Sequence, residues 1–276
     1  MGSTRATILS DRGTAPRWAE LRRLGRTALI PYLTAGYPSR AATLETLRMV
    51  VEAGADLIEL GMPFSDPVAD GPVIQHASES ALRQGMTARG TLELVREAAL
   101  DVPVVLFGYL NPVLAYGVQR FLDDAVAAGV AGLLLTDLPA GEDPDLAREV
   151  TVRGLDLIPL VAPTTSEERA RRVLRGATGF VYVIARLGVT GSPTTLGADL
   201  ETAVRRFRRA TALPLAIGFG IATGAHATTA AGLADGVVVG SALVERLGHG
   251  IDAARDLMLE LRQALDARRP GAQGAA

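Results

Sequence analysis

Short apolar runs alternate along the chain with stretches of helical periodicity. Eight runs rich in valine, isoleucine and leucine predict β-strands, at residues 28–35, 55–61, 103–109, 131–136, 155–161, 179–185, 214–218 and 236–240. Most of them lack the alternation of apolar and polar residues that a half-exposed strand shows. Strands of this kind are typical of a parallel sheet that is covered on both faces.

The segments between these runs are amphipathic. Residues 43–53 and 116–128, for example, each place their larger apolar side chains on one face of a helix. Eight strand–helix units in sequence predict one closed (β/α)8 barrel, the TIM barrel of the α/β class. An open, doubly wound sheet is the alternative, but the turn after the first strand lacks its glycine fingerprint.

The two ends of the chain lie outside the alternating strand–helix pattern. Residues 16–24, with Trp18, predict an extra N-terminal helix over the N-terminal end of the barrel. We expect a flexible segment at 1–15, a barrel at 16–267 and a disordered tail at 268–276, and see no linker within the barrel. The N-terminus carries neither an apolar signal core nor a myristoylation pattern, so we expect a cytoplasmic protein.

The composition excludes several kinds of chemistry. The chain has no cysteine and no lysine, and its 28 basic residues other than histidine are all arginine. Thiolate nucleophiles, lysine Schiff bases and covalently attached pyridoxal phosphate are therefore ruled out. The three histidines stand far apart, and we expect neither a metal nor a cofactor. The net charge of −2 provides no basic field for nucleic acid.

One carboxylate stands at an unusual position within a predicted strand. Alternation places Glu59 on the same face as Leu57, which in a barrel faces inward. An inward carboxylate is costly unless it is paired or functional, and its burial raises the pKa toward values useful for proton transfer. A salt bridge to a buried arginine is the alternative.

A proline-rich loop after the second strand carries two further acids. Asp66 and Asp70 lie within residues 62–72, among three prolines that stiffen the loop. Each acid also suits a turn or a helix cap. The location at the barrel mouth, beside Glu59, nevertheless favours a second functional carboxylate here.

Glycines after the last two strands indicate a phosphate site. Gly220 and Gly240 allow a close approach to the backbone, and Ser241 adds a hydroxyl where a helix begins. The loops after strands seven and eight are the frequent phosphate site of such barrels. A glycine-rich loop at 187–198 has the length of a mobile lid, with a plain surface loop as the equal alternative.

The segment from Glu59 to Pro72, ELGMPFSDPVADGP, closely resembles the signature of the tryptophan synthase α subunit. Further resemblance lies in PYLTAG (31–36), GYLNP (108–112), DLP (137–139), GVTG (188–191), GFG (218–220) and Gly240–Ser241, and covers nearly the whole chain. Departures are Ala185, Leu187, Tyr37, Thr136 and Phe107, around the lid, the pocket and the expected partner face.

The resemblance implies a lyase that needs no cofactor. Such a lyase cleaves indole-3-glycerol phosphate by a retro-aldol reaction to indole and glyceraldehyde 3-phosphate. Carried over, Glu59 is the general acid and base, and Asp70 accepts a hydrogen bond from the indole N–H. The implied phosphate ligands are Gly191, Gly220, Gly240 and Ser241. The implied indole pocket comprises Tyr32, Phe107, Tyr182, Thr190 and Phe219.

The same resemblance implies a partner, the tryptophan synthase β subunit, in an αββα tetramer. The implied contact residues are Pro63, Asp66, Asn111, Asp137 and Pro139. Two alternatives to the α subunit stay open at this point. One is a stand-alone paralogue that releases indole for a secondary pathway, and the other is a non-catalytic activator of a β-type subunit.

Overall fold

The computed structural model describes residues 13–138, 141–184, 193–218 and 220–268, with side chains throughout except at 193–198. All strands run parallel in one curled sheet. They are β1 (Ala28–Thr34), β2 (Ile58–Gly61), β3 (Val104–Gly108), β4 (Val130–Leu135), β5 (Asp156–Leu157), β6 (Leu160–Val161), β7 (Val181–Ile184), β8 (Leu215–Gly218) and β9 (Gly236–Val239).

The sheet order is β5-β4-β3-β2-β1-β9-β8-β7-β6. Its two end strands, β5 and β6, are the two halves of the predicted fifth strand, so the barrel closes there. That strand was expected to run unbroken over 155–161, and this expectation is wrong in detail. Pro159 interrupts it because proline has no N–H for the ladder. The chain nevertheless bridges the gap, since Ile158 N–H donates to Leu133 O and Tyr182 N–H donates to Pro159 O. The predicted (β/α)8 barrel is confirmed.

Helices cover the outside of the barrel. They are α1 (Ala15–Arg23), α2 (Arg40–Glu52), α3 (Pro72–Arg83), α4 (Ala88–Ala98), α5 (Leu110–Tyr116), α6 (Val118–Ala128), α7 (Pro144–Val152), α8 (Glu167–Val173), α9 (Pro193–Ala210), α10 (Gly224–Ala231), α11 (Ser241–Leu247) and α12 (Ile251–Asp266). The helix predicted over 116–128 begins two residues later, because Gly117 separates the short α5 from α6.

The predicted N-terminal helix is α1, and it closes the N-terminal end of the barrel. Its Trp18 is buried and packs against Phe180, with 5.5 Å between the ring centroids. Just before α1, the Thr14 hydroxyl and N–H both donate to Asp156. Residues 1–12 and 269–276, which make up most of the two predicted end segments, lie outside the described residues.

Two apolar layers surround the strands. Inside the barrel, Ile30, Leu57, Val105 and their neighbours form a core that Trp18 caps from below. Outside, a larger cluster fills the space between the strands and the helices. Since side chains from both layers are buried, the strands read as nearly continuous apolar runs. A polar side chain buried within this inner layer is unusual and indicates a specific role.

Candidate active site

A cavity of about 680 Å³ opens at the C-terminal ends of the strands, where barrel enzymes carry their chemistry. Most of the predicted site residues within the described part of the chain line it. The lining residues are Tyr32, Ala69, Asp70, Gly71, Ile74, Phe107, Thr136, Leu160, Ala162, Pro163, Thr164, Tyr182, Ile184, Gly220, Ile221, Ala222, Gly240, Ser241, Ala242 and Glu245.

Glu59 lies on β2 beside this cavity. It pairs in register with Tyr32 of β1, which lines the cavity, and with Val105 of β3, which belongs to the inner core. Its side chain is 0% exposed, and neither carboxylate oxygen has a hydrogen-bond partner among the residues that the structure describes. Burial raises the pKa of Glu59 to about 8, so the carboxyl group holds its proton at neutral pH.

No arginine of the described residues forms the alternative buried salt bridge with Glu59; Asp56 has that arrangement instead. Asp56 lies three residues earlier, just before β2, and is equally buried. It binds Arg17 at 2.7 Å, Arg26 at 3.1 Å and Arg262 at 3.0 Å, at the N-terminal end of the barrel. Two neighbouring acids of one segment thus have opposite environments: Asp56 is paired with arginines, whereas Glu59 lies in apolar surroundings.

Asp70 projects from the loop that joins β2 to α3. The loop turns tightly, with the N–H of Asp70 donating to Pro67 O at 3.0 Å and the Gln75 amide donating to Asp70 O at 2.9 Å. Burial raises the pKa of Asp70 to about 6, and the Tyr109 hydroxyl opposes the rise. Asp70 therefore lines the cavity as an ionised carboxylate at neutral pH, unlike Glu59.

Three aromatic rings meet at the base of the cavity. Tyr32 and Phe107 pack edge to face, with centroids 5.2 Å apart, and Phe107 lies 6.5 Å from Tyr182. A Cβ atom at position 61 would overlap the Tyr32 hydroxyl, and one at position 218 would overlap the Tyr182 hydroxyl. Glycine at these two strand positions is therefore needed to hold both rings in place, and the result is a largely apolar aromatic surface suited to an aromatic ligand.

Three of the four predicted phosphate ligands line the cavity: Gly220, Gly240 and Ser241. Gly220 lies two residues after the end of β8 and has a φ of +87°, a conformation that favours glycine. Gly240 precedes α11, and Ser241 is the first residue of that helix. Backbone amides and one hydroxyl thus border the cavity on the side where barrels bind phosphate. The carboxylate of Glu245, one turn along α11, lines the same cavity.

Several predicted site residues lie outside the described residues: Gly191 and Thr190 of the lid segment, Phe219 of the pocket and Pro139 of the partner face, together with the departures Ala185 and Leu187. Of the other predicted partner contacts, Asp66, Asn111 and Asp137 are exposed and Pro63 is buried. Asp137 also accepts a hydrogen bond from Leu110 N–H at 2.7 Å. Val68, 87% exposed, and Leu114 add apolar area near these residues.

Sequence reasoning missed part of the lining. Four parts of the lining were not predicted. Thr136 and the 162–164 segment follow a strand, Ile184 ends one, and Glu245 lies on α11. The position of a residue after a strand was the available signal, but it does not tell which side chains turn inward. The apolar Ile74 comes from α3, and no strand position indicates it.

The described residues contain no cluster of three or more histidine, aspartate or glutamate side chains that could hold a metal ion. Nor does this part of the chain include a helix long and apolar enough to span a membrane. An ionised acid, aromatic rings and backbone amides line one cavity, and a protonated acid lies beside it. Together they define a (β/α)8-barrel enzyme that moves protons on a phosphorylated aromatic ligand.

Comparison with known proteins makes this class specific. The family model of the tryptophan synthase alpha chain matches residues 18–269. The tryptophan synthase alpha chain of Acidiphilium cryptum (strain JF-5) is 49% identical over 242 residues, which cover 87% of this chain and 88% of that one.

Solved structures agree. Tryptophan synthase subunit alpha from Legionella pneumophila superposes with a TM-score of 0.85 at 36% identity, covering 92% of this chain and 98% of that one. Tryptophan synthase from M. tuberculosis, in its aminoacrylate-bound form, gives 0.83 at 37% identity, over 91% and 98%. The chain therefore belongs to the tryptophan synthase alpha chain family.

Proposed function

We propose that the chain cleaves indole-3-glycerol phosphate to indole and glyceraldehyde 3-phosphate, as the α subunit of tryptophan synthase in tryptophan biosynthesis. Membership of the family supports the reaction. The observation that carries the proposal within this chain is Glu59: a buried acid that no described residue pairs with, beside a cavity lined by aromatic rings. No structural purpose accounts for an unpaired carboxyl group at that depth.

The pKa of Glu59 suits the first proton transfer. With a pKa of about 8 the group is mostly protonated at neutral pH, so it can donate a proton to C3 of the indole ring. Protonation makes the ring cationic and weakens the bond between C3 and the glycerol side chain. Because Glu59 is fully buried, its side chain has to rotate into the cavity to reach the ring.

Bond cleavage returns the proton. The Glu59 carboxylate left by the first step removes the proton from the side-chain hydroxyl that becomes the aldehyde. The electrons of the broken bond go to the ring, which restores neutral indole, and Glu59 ends protonated as it began. The cycle therefore needs no external acid or base and no electron acceptor.

Asp70 stabilises the charge that forms in between. Its carboxylate lines the cavity, and we assign it the hydrogen bond from the indole N–H, which is most acidic when the ring is cationic. Tyr32, Phe107 and Tyr182 hold the ring, and Gly220, Gly240 and Ser241 bind the phosphate. For the lid residues Gly191 and Thr190 and for Phe219 of the pocket, the proposal rests on the sequence alone.

We also propose a cytoplasmic protein that pairs with a β subunit in an αββα tetramer. The exposed residues Asp66, Asn111 and Asp137, with Pro139, are the proposed contact. Buried Pro63 would act by shaping the loop that carries Asp66.

The decisive experiment measures indole released from indole-3-glycerol phosphate by the purified chain, alone and with a tryptophan synthase β subunit. We expect slow release alone and strong acceleration by β. Fast turnover that β does not change would overturn the α-subunit assignment in favour of a stand-alone lyase. Absence of turnover under both conditions would overturn the lyase assignment and leave only a binding role.

A further inference from the structure

Tyr109 occupies a place that the proposed mechanism does not use. It follows β3 directly, it is 3% exposed, and it does not line the cavity. A buried tyrosine needs a partner for its hydroxyl group, and the partner here belongs to the loop that carries Asp70. The N–H of Ala69 donates to the Tyr109 hydroxyl oxygen at 2.9 Å.

Tyr109 contacts this loop at two points. Its ring packs against Phe64, near the start of the loop, with 5.1 Å between the centroids. Its hydroxyl holds Ala69, five residues later and immediately before Asp70. One side chain of the barrel wall therefore fixes both ends of the segment whose last residue is the proposed functional acid.

Because the Tyr109 oxygen accepts the hydrogen bond from Ala69, its hydroxyl proton is free to be donated to another group. A phenol has one proton to donate, and here its oxygen already accepts from a backbone N–H. Two side chains act on the Tyr109 hydroxyl as neighbours, the carboxylate of Asp70 and the hydroxyl of Thr136. Both could accept the proton, since the Thr136 hydroxyl donates its own proton to Gly108 O at 3.1 Å, but the ionised carboxylate is the stronger acceptor.

We propose that Tyr109 is a positioning residue for Asp70: its oxygen holds the backbone of Ala69, and its proton is donated to the Asp70 carboxylate. Through these two bonds Tyr109 keeps Asp70 ionised and directed into the cavity. The inference rests on the proposed function only for its effect on catalysis. The contact with Asp70 can be tested without substrate.

The electrostatic surroundings are consistent with this role. Burial raises the pKa of Asp70, whereas the Tyr109 hydroxyl lowers it. Burial and the charge of Asp70 in turn raise the pKa of Tyr109 to about 12, so the phenol keeps its proton. The other titratable groups around the cavity are Tyr32 of β1, Glu59 of β2, Tyr182 of β7 and Glu245 of α11. None of them is a cation that could keep Asp70 ionised.

The test replaces Tyr109 by phenylalanine, which keeps the ring against Phe64 and removes only the hydroxyl group. Tyr116→Phe is the matched control, because the Tyr116 hydroxyl also donates to an aspartate, Asp124, at 2.6 Å, but lies on α5 outside the cavity. The Asp70 carboxyl carbon is followed by ¹³C NMR in the substrate-free protein, and Asp70→Asn identifies its resonance.

We expect the pKa of Asp70 to rise by about one unit in Tyr109→Phe, the effect of losing one hydrogen bond to a charged group, and to stay unchanged in Tyr116→Phe. An unchanged or lower pKa in Tyr109→Phe would overturn the proposal. If circular dichroism shows that this variant does not fold, Tyr109→Met, which also lacks the hydroxyl group, has to give the same rise.

Activity gives a second measurement. Because Asp70 acts as an anion, Tyr109→Phe should lose about fivefold more kcat/KM at about pH 6 than at about pH 8.5, relative to the wild type. An equal loss at both pH values would mean that Tyr109 supports the loop without acting on the charge of Asp70, which also contradicts the proposal. Should the wild type release no indole, the proposed function fails, while the NMR titration still decides the role of Tyr109.

Discussion

Asp56 and Glu59 are separated by two residues, are equally buried, and differ completely in their partners. Asp56 binds three arginines at the N-terminal end of the barrel, whereas neither oxygen of Glu59 contacts a hydrogen-bond partner in the described part of the chain. The first acid stabilises the fold, and the second is available for chemistry. Each assignment leads to an experiment.

Replacing Glu59 by glutamine should abolish indole release while the fold is kept. The amide has nearly the same shape but cannot transfer a proton, so we expect kcat to fall by about 10²- to 10⁴-fold. Glu45→Gln, at an exposed position on α2, is the control and should retain full activity. Activity of Glu59→Gln close to that of the wild type would remove Glu59 from the mechanism.

The stability of the wild type should fall as the pH rises. The pKa of Glu59 is about 8 in the folded chain, against 4.5 for an ordinary glutamate. Between these values the folded state keeps a proton that the unfolded state has lost, so each step up in pH favours unfolding. The loss begins above about pH 4.5 and is complete above about pH 8.

Glu59→Gln does not titrate and therefore escapes this loss. Relative to the wild type, its free energy of unfolding should improve by roughly 2–5 kcal/mol between about pH 5 and about pH 8.5. Urea unfolding at both pH values measures the difference. A difference between the two proteins that is independent of pH would show that Glu59 is ionised throughout.

Asp56→Asn should destabilise the chain without impairing catalysis. Three arginines would lose their shared counter-charge at a buried position, which costs about 3–5 kcal/mol. Asp145→Asn is the matched control, since Asp145 pairs with Arg148 on the surface and is 88% exposed, where such a pair contributes less than about 1 kcal/mol. Urea unfolding compares the two, and kcat/KM below the unfolding transition should stay near the wild-type value. A loss of kcat/KM in folded Asp56→Asn would mean that the two ends of the barrel are coupled.

Gly218→Ala should displace Tyr182 from the aromatic floor. The added methyl group would occupy the space of the Tyr182 hydroxyl group, and overpacking of this kind costs about 1–3 kcal/mol. We expect lower stability and a higher KM. The double variant Gly218→Ala/Tyr182→Phe should recover part of both losses, and purely additive effects would mean that the two residues do not interact.

Glu245→Gln should tighten binding of the phosphorylated substrate. Glu245 lines the cavity on the helix that begins with Ser241, so its charge opposes the phosphate. We expect KM to fall about two- to fivefold at low salt and the difference to shrink as salt is added. For indoleglycerol, which lacks the phosphate, KM should not change. An equal improvement for both substrates would mean that Glu245 acts through the shape of the cavity and not through its charge.

The sequence predicted the barrel, the cover helix and the environment of Glu59 because each depends on local pattern. Alternation alone places Glu59 on the inner face, and the apolar runs alone give the strand order of a barrel. The same reasoning did not predict the arginine partners of Asp56, which come from α1, the α1–β1 connection and α12. It missed Tyr109 for a similar reason. Its bond to Ala69 joins loops forty positions apart, and no periodicity records such a contact.

Pro159 gives the barrel an uneven perimeter. The β4–β5 and β6–β7 pairings extend over only two residues each, whereas the β3–β4 pairing covers five. The cavity wall at 160–164 follows directly from the part of the barrel with the shortest strand pairings. Glu59 lies on β2, whose pairing with β3 is longer. With fewer ladder bonds on this side, we expect local opening to be easier here than on the side that carries Glu59, so a ligand would enter past the more adaptable wall while the proton donor stays in place.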